Sequence, residues 1–325
     1  MSLPLINGRG TTRIMNTTRQ PQATTSDTQG NAMLSSLGMP QPHNPEHSQT
    51  NERAQSRFAY FGTPNVASET LARLIEHGFI PELVVTSPDA PRDRGHVLTP
   101  SPTKTLALSR GIKVLTPARL DTETIAEIRA CKCDYAVVVA YGKIFPEELI
   151  QSFPLGVLNV HYSLLPKYRG ATPLEAALLA GEKETGVTIQ KMVKELDAGD
   201  IIEQKATEIE SDETARELRP RLIIIGAELL AEALPRFAGG FITPVPQDDS
   251  KATRAGKLKK EDGLLSFDAP AEENWNKYRA YADSIGTYFF ENGKRKKITK
   301  ASFTNGKFVV ERVIPEGRNE TDYRG

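Results

Sequence analysis

Val157-Leu158-Asn159-Val160-His161-Tyr162-Ser163-Leu164-Leu165-Pro166-Lys167-Tyr168-Arg169-Gly170 is an apolar run that breaks into polar residues, a proline and a glycine. Its start reads as a strand, and side chains two apart leave one face roughly 7 Å apart at the backbone. Asn159 and His161 thus bring an amide donor and a titratable imidazole to one strand end, a pairing suited to carbonyl chemistry. An isolated Asn-x-His more often only satisfies loop backbone. Upstream lie further short apolar runs at 58–61, 83–86, 114–115 and 135–140. Between them, 68–77, 103–109 and 123–130 carry apolar residues at helical spacing, bounded by Gly78 and Gly111. Alternating strand and helix periods imply an α/β fold, a Rossmann-like parallel sheet with crossover helices, over 57–240. A helix at 173–180, strands at 187–192 and 201–206, and a long helix at 212–237 kinked by Pro220 complete it.

The chain of 325 residues is 38% hydrophobic and 25% charged, a composition that supports two domains with real cores. Its 41 basic and 41 acidic residues cancel, so no global field marks a nucleic-acid or membrane partner, and charge has to be read by region. No apolar run approaches the roughly 18 residues a transmembrane helix needs. Cys131 and Cys133 lack the spacing for a zinc site or a Cys-x-x-Cys redox pair and read as reduced thiols of a cytoplasmic protein. Residues 1–56, rich in Thr, Ser, Gln, Asn and Pro, read as a disordered, dispensable extension. Pro244, Pro246 and the polar run after them mark 241–253 as a linker. Beyond it, 254–325 reads as a small β-rich unit: a helix at 274–282, then strands at 287–290, 297–301 and 307–313 with Asn292-Gly293 and Asn305-Gly306 turns. From 251 onward there are 16 basic against 11 acidic residues, an excess of five.

The turn after the first strand, Gly62-Thr63-Pro64, lacks Gly-x-Gly-x-x-Gly, and no Gly-Lys-Ser/Thr follows elsewhere. Dinucleotide and triphosphate binding are therefore disfavoured. Ligands of open parallel sheets sit beyond the carboxyl ends of the strands, which here are Ala140-Tyr141-Gly142 and the segment from Asn159 to Pro166.

These residues resemble the formyltransferases that use 10-formyltetrahydrofolate, and within them the branch acting on methionyl-tRNA. The resemblance covers about 57–325: Asn-x-His, then Ser-Leu-Leu-Pro and Arg-Gly, matches Asn159, His161, Ser163 to Pro166 and Arg169-Gly170, and Leu-Asp-x-Gly-Asp matches Leu196-Asp197-Ala198-Gly199-Asp200. The 36 residues from His161 to Asp197 agree with the family interval. The resemblance implies Asn159, His161 and Asp197 as the catalytic set, with no metal. It implies folate against Ala140, Tyr141, Gly142, Ser163, Leu164, Leu165 and Pro166. Ser87-Pro88-Asp89-Ala90-Pro91-Arg92-Asp93-Arg94-Gly95 is similar to the loop contacting the tRNA acceptor end. Lys257-Leu258-Lys259-Lys260-Glu261, Gly286-Thr287-Tyr288-Phe289 and Pro315-Glu316-Gly317 resemble the family's carboxy-terminal domain, here a shortened, β-barrel-like unit.

Arg92, Arg94, Arg169 and the run Lys294-Arg295-Lys296-Lys297 are the expected tRNA contacts. The expected reaction is formyl transfer from 10-formyltetrahydrofolate to the α-amine of initiator methionyl-tRNA, by a monomer without membrane or DNA partners. Asn159 would donate to the developing oxyanion, His161 would stabilise it or manage the amine proton, and Asp197 would orient the imidazole. Another formyl acceptor (a sugar nucleotide, glycinamide ribonucleotide or water) and a non-catalytic folate- or RNA-binding module are the alternatives.

Overall fold

The computed structural model describes residues 56–92 and 97–324, the Arg92 side chain excepted. The extension expected at 1–56 therefore lies outside the described residues apart from Ser56. The chain runs β1 (Phe58–Gly62), α1 (Asn65–Glu76), β2 (Leu83–Val85), β3 (Ala90–Arg92), β4 (Val97–Thr99), α2 (Pro102–Ser109), β5 (Lys113–Leu115), α3 (Thr122–Ala130), β6 (Tyr135–Val139) and α4 (Glu147–Ile150). It continues with β7 (Gly156–His161), β8 (Arg169–Gly170), α5 (Pro173–Leu179), β9 (Glu184–Lys191), β10 (Ile201–Glu208) and α6 (Ala215–Ala238).

Seven strands form the main sheet in the order β10-β9-β7-β6-β1-β2-β5. From β7 to β5 every pairing is parallel, as the alternating pattern implies, whereas β9 and β10 are antiparallel to their neighbours. After β7 the chain stays at the carboxyl end of the sheet, with only the two-residue β8 and α5 before the next strand of that sheet. β9 therefore begins where β7 ended and must run back. Successive strand residues feed opposite faces. Tyr60 and Val137 join Leu71, Leu74 and Leu222 of α1 and α6 in one cluster, while Phe61 and Val138 join Ile125, Ile128 and Leu149 of α3 and α4 in another. Each fully buried Leu or Ile contributes roughly 1.5–3 kcal/mol of transfer free energy.

Side chains set the helix starts. Ser101 Oγ accepts the Lys104 N–H at 3.0 Å, and Asp121 accepts that of Thr124 at 3.0 Å. Ahead of α6, the Glu217 carboxylate accepts both the N–H and the hydroxyl of Thr214 at 2.8 Å. Pro220 lies early in that helix, which continues to Ala238.

Beyond α6, β11 (Arg254–Ala255) pairs in parallel with β8. It is followed by α7 (Ala271–Tyr281) and an antiparallel sheet of β12 (Thr287–Glu291), β13 (Lys294–Thr304), β14 (Lys307–Pro315) and β15 (Thr321–Asp322). Leu265, Phe289, Ile298, Val310 and Val313 form its core. Ala280 and Tyr281 of α7 pack instead into the larger cluster of the main sheet. Among the described residues no helix is long and apolar enough to cross a membrane.

Candidate active site

Strand register decides which side chains meet at the end of β7. Asn159 is paired with Val138 of β6 on one side and Gln190 of β9 on the other, and His161 is paired with Thr188. Directly opposed residues share a face, so Gln190 joins Asn159 beside His161. Asp197 arrives from the β9–β10 loop with φ +52°, a left-handed conformation that costs a non-glycine residue energy. The loop presses onto β9 at Gly199, where a Cβ would stand 1.7 Å from the Lys191 carbonyl oxygen. Only glycine fits there.

The Asp197 carboxylate gathers three donors. Oδ1 accepts from Gln190 Nε2 at 2.9 Å and Asn159 Nδ2 at 3.3 Å, and Oδ2 accepts the Gly170 N–H at 2.8 Å. Gly170, at φ +127°, has no space for a Cβ, which would lie 2.1 Å from the Ala255 carbonyl oxygen. Oδ2 also faces His161 Nδ1 at 3.6 Å. The imidazole is 5% exposed, and its Nε2 stands 2.9 Å from the Tyr168 carbonyl oxygen. A carbonyl can only accept, which assigns the ring proton to Nε2 and the lone pair to Nδ1. Burial lowers the His161 pKa below its ordinary value, opposed by Asp197 and by the Tyr168 carbonyl. The ring is therefore neutral at neutral pH, and a proton added at Nδ1 meets the Asp197 charge. Asn159 keeps its second amide hydrogen for another acceptor.

The structure brings the three expected catalytic residues together and revises several of the others. Ser163 donates its hydroxyl to the Lys167 carbonyl at 2.7 Å and accepts on its own carbonyl from Thr188 Oγ1 at 2.7 Å. The Leu165 N–H goes to Thr188 Oγ1 at 3.1 Å, and the Leu165 carbonyl accepts from Gln204 Nε2 at 3.0 Å. These bonds give Ser163 and Leu165 a scaffold role instead of the expected folate contact. Leu164 and Pro166 line a cavity of about 340 Å³ with Tyr168 and Thr185. Ala140 and Gly142 leave β6 in left-handed conformations, at φ +46° and +81°. The Tyr141 ring is buried against Phe61 and Phe145, which pushes its hydroxyl up to about 12.

Arg169 is a correction. It is 8% exposed, and it donates Nε and Nη2 to Gln247 Oε1 at 3.0 and 2.8 Å and Nη2 to Asp249 at 2.7 Å. A guanidinium so enclosed is not presented to RNA. Lys296 is a second correction, because it turns inward to pair with Glu291 and lies 4.8 Å over the Tyr323 ring. The basic run 294–297 is part of β13, whose alternation sends Arg295 and Lys297 to the opposite, open face. There Arg295 lies 5.4 Å over Tyr288, which stacks edge-on with Phe290, itself 58% exposed. Lys294 is also exposed. Arg94 lies outside the described residues, and of Arg92 only the backbone, at the end of β3, is described.

Sequence reasoning missed Gln190, Gln247, Tyr288 and Phe290. The β12 aromatics carried a signal, since alternation around Phe289 points both neighbours outward. Gln190 and Gln247 carried none, because strand register and the linker path place them.

Comparison with known families matches 56–234 to a formyl transferase domain and 257–317 to a formyl transferase C-terminal domain. A methionyl-tRNA formyltransferase of Carboxydothermus hydrogenoformans is 46% identical over 265 residues, 81% of this chain and 86% of that one. Its Bacillus subtilis counterpart is 41% identical over 244 residues, 75% and 77% of the two chains. Among solved structures, a methionyl-tRNA formyltransferase from Clostridium thermocellum superposes with a TM-score of 0.54 at 17% identity, covering 80% of this chain and 99% of that one. A Helicobacter canadensis N-formyltransferase, crystallised with folinic acid and dTDP-3-aminofucose, gives 0.60 at 22% identity, covering 77% and 88%. At those identities the two structures speak for the fold alone.

Proposed function

The chain belongs to the formyl transferase family, and we propose that within it the protein transfers the formyl group of 10-formyltetrahydrofolate to the α-amine of initiator methionyl-tRNA. The convergence of Asn159, His161 and Asp197 carries this reading. Identity of 46% and 41% to enzymes named for that acceptor supports its choice. The bound folate supplies an activated formyl carbon. Asn159, holding one amide hydrogen on Asp197, turns the other toward the formyl oxygen as charge develops there. His161 Nδ1 takes the proton that the attacking amine loses, and the resulting imidazolium, which lies between the Tyr168 carbonyl and Asp197, both acceptors, returns it to the folate nitrogen as the bond from that nitrogen to the formyl carbon breaks and tetrahydrofolate leaves. Asp197 keeps its three donors throughout.

The strands β6 and β9 flank β7, and the loops that leave them expose apolar side chains: Ile144 at 92%, Val193 at 41% and Leu196 at 65%. Exposed apolar residues beside free loop backbone suit a flat heteroaromatic ring that needs paired donors and acceptors, so the folate is assigned here, with Ala140, Tyr141 and Gly142 at the base. The acceptor RNA is assigned to the open face of the C-terminal sheet, where Tyr288 and Phe290 offer stacking surface and Arg295, Lys297 and Lys294 offer charge. Arg92 and Arg94 are assigned to its aminoacyl end, and the protein to the cytoplasm.

The test is an assay of purified protein with 10-formyltetrahydrofolate and charged initiator tRNA. Formyl-methionyl-tRNA is the expected product. Turnover of a small amine acceptor or of water, with none of methionyl-tRNA, would overturn the assignment.

A further inference from the structure

The segment at 241–253, expected only to connect two units, reaches into the catalytic loop. Gln247 uses both hydrogens of its amide there, donating to the carbonyl oxygens of Asp197 at 2.9 Å and Gly199 at 2.7 Å. Its own Oε1 receives Nε and Nη2 of the buried Arg169, which reaches on to Asp249, 82% exposed. Gly170, next to Arg169, gives its N–H to the Asp197 carboxylate. Asp197 is thus held twice from β8, directly at its carboxylate and through Gln247 at its main chain. The loop's own turn bond, from the Ala198 N–H to the Glu195 carbonyl, is long at 3.4 Å, while Asp197 sits in a left-handed conformation. Local bonding therefore does little to hold the carbonyl of Asp197, and the Gln247 amide supplies what is missing.

We propose that Gln247, locked by Arg169, is a positioning residue for Asp197 and ties the approach to the C-terminal sheet to the geometry of the reaction. The inference rests on the formyl-transfer reading of the site. Gln247 touches no reacting atom, so its loss acts on the chemical step while donor binding is kept.

Two substitutions of nearly equal size separate positioning from fastening. Gln247→Glu retains an acceptor for Arg169, as an ion pair, but loses both donors and sets a carboxylate oxygen against two carbonyl oxygens. Gln247→Met loses every hydrogen bond. Positioning requires both variants to lose about 10- to 100-fold in kcat, with KM for the formyl donor within about twofold of wild type. If Gln247 only fastened the linker to Arg169, Gln247→Glu would keep wild-type kcat, and that result overturns the proposal.

A readout without substrate runs in parallel, the NMR titration of the His161 ring, whose pKa reports where the Asp197 charge lies. A changed titration midpoint in Gln247→Met supports the proposal even if the acceptor is not methionyl-tRNA, and a midpoint equal to wild type overturns it. Thermal unfolding identifies any variant that does not fold. Should Gln247→Met be that variant, Gln247→Glu decides by the same kcat criterion. Wild-type protein that fails to formylate methionyl-tRNA counts against the functional reading alone.

Discussion

In the proposed reaction His161 and Asn159 divide the work at the reacting carbonyl, and their substitutions should separate accordingly. Asn159→Ala removes one oxyanion donor and should reduce kcat by about 10²- to 10³-fold in single-turnover formylation, with donor KM little changed. An effect below threefold would exclude Asn159 from that role. The buried imidazole also links stability to pH. Because burial lowers the folded-state pKa of His161, the unfolded chain binds more protons in the window between that lowered value and about 6.5. Stability associated with the ring is therefore complete above about pH 6.5 and is lost as pH falls through the window. Urea unfolding at pH 7.5 and 5.5 should show a larger acid loss in wild type than in His161→Gln, and equal losses would refute the linkage. That Asn159, His161 and Asp197 meet was legible in the sequence, the first two as neighbours on one strand face and the set of three through the family resemblance. Gln190 and Gln247 were not, because their approach to Asp197 depends on β7–β9 register and on a backbone path through a proline-rich segment.

The strands β1, β2, β6 and β7 and the helices α1, α2 and α3 follow the sequence pattern closely, because those strands are buried on both faces and each of these helices presents apolar side chains to one cluster. The antiparallel turn of β9 was less legible, since direction depends on where the chain stands after β7 and not on its own residues. Elements are also joined by charges that no periodicity announces. Arg219 of α6 donates Nη2 to Glu175 of α5 at 2.7 Å and Nε to Asp283, just past α7, at 2.9 Å. Glu175 is 5% exposed, so Arg219→Ala would strand a buried carboxylate. That loss should cost about 3 kcal/mol in urea unfolding, and Glu175→Gln in the same background should recover part of it. A cost below about 0.5 kcal/mol would mean that the three helices are held by apolar contact alone.

The whole molecule is less divisible than its two sequence patterns imply. Tyr281 and Ala280 of α7 complete the core of the main sheet, β11 pairs with β8, and the Trp275 indole donates to the Ser211 carbonyl at 3.2 Å. Removing 241–325 would strip that packing together with the Gln247 hydrogen bond to Asp197, so a loss of activity would say nothing specific about RNA. Substitutions on the open face of the C-terminal sheet avoid this confusion. Arg295 and Lys297 project away from the core there, across from Phe290 and Tyr288 in register. Arg295→Ala with Lys297→Ala should raise the KM for methionyl-tRNA and lower the salt slope of its binding by about one for each phosphate no longer neutralised, leaving donor KM unchanged. Phe290→Ala should weaken tRNA binding by about 1–3 kcal/mol if a base stacks on it, with the salt slope preserved, since stacking releases no counterions. Two different signatures from one face are a stringent requirement. Equal tRNA affinity and equal salt slope in all of these variants would remove the sheet from the acceptor-binding surface and leave the loop that carries Arg92 and Arg94 to supply it.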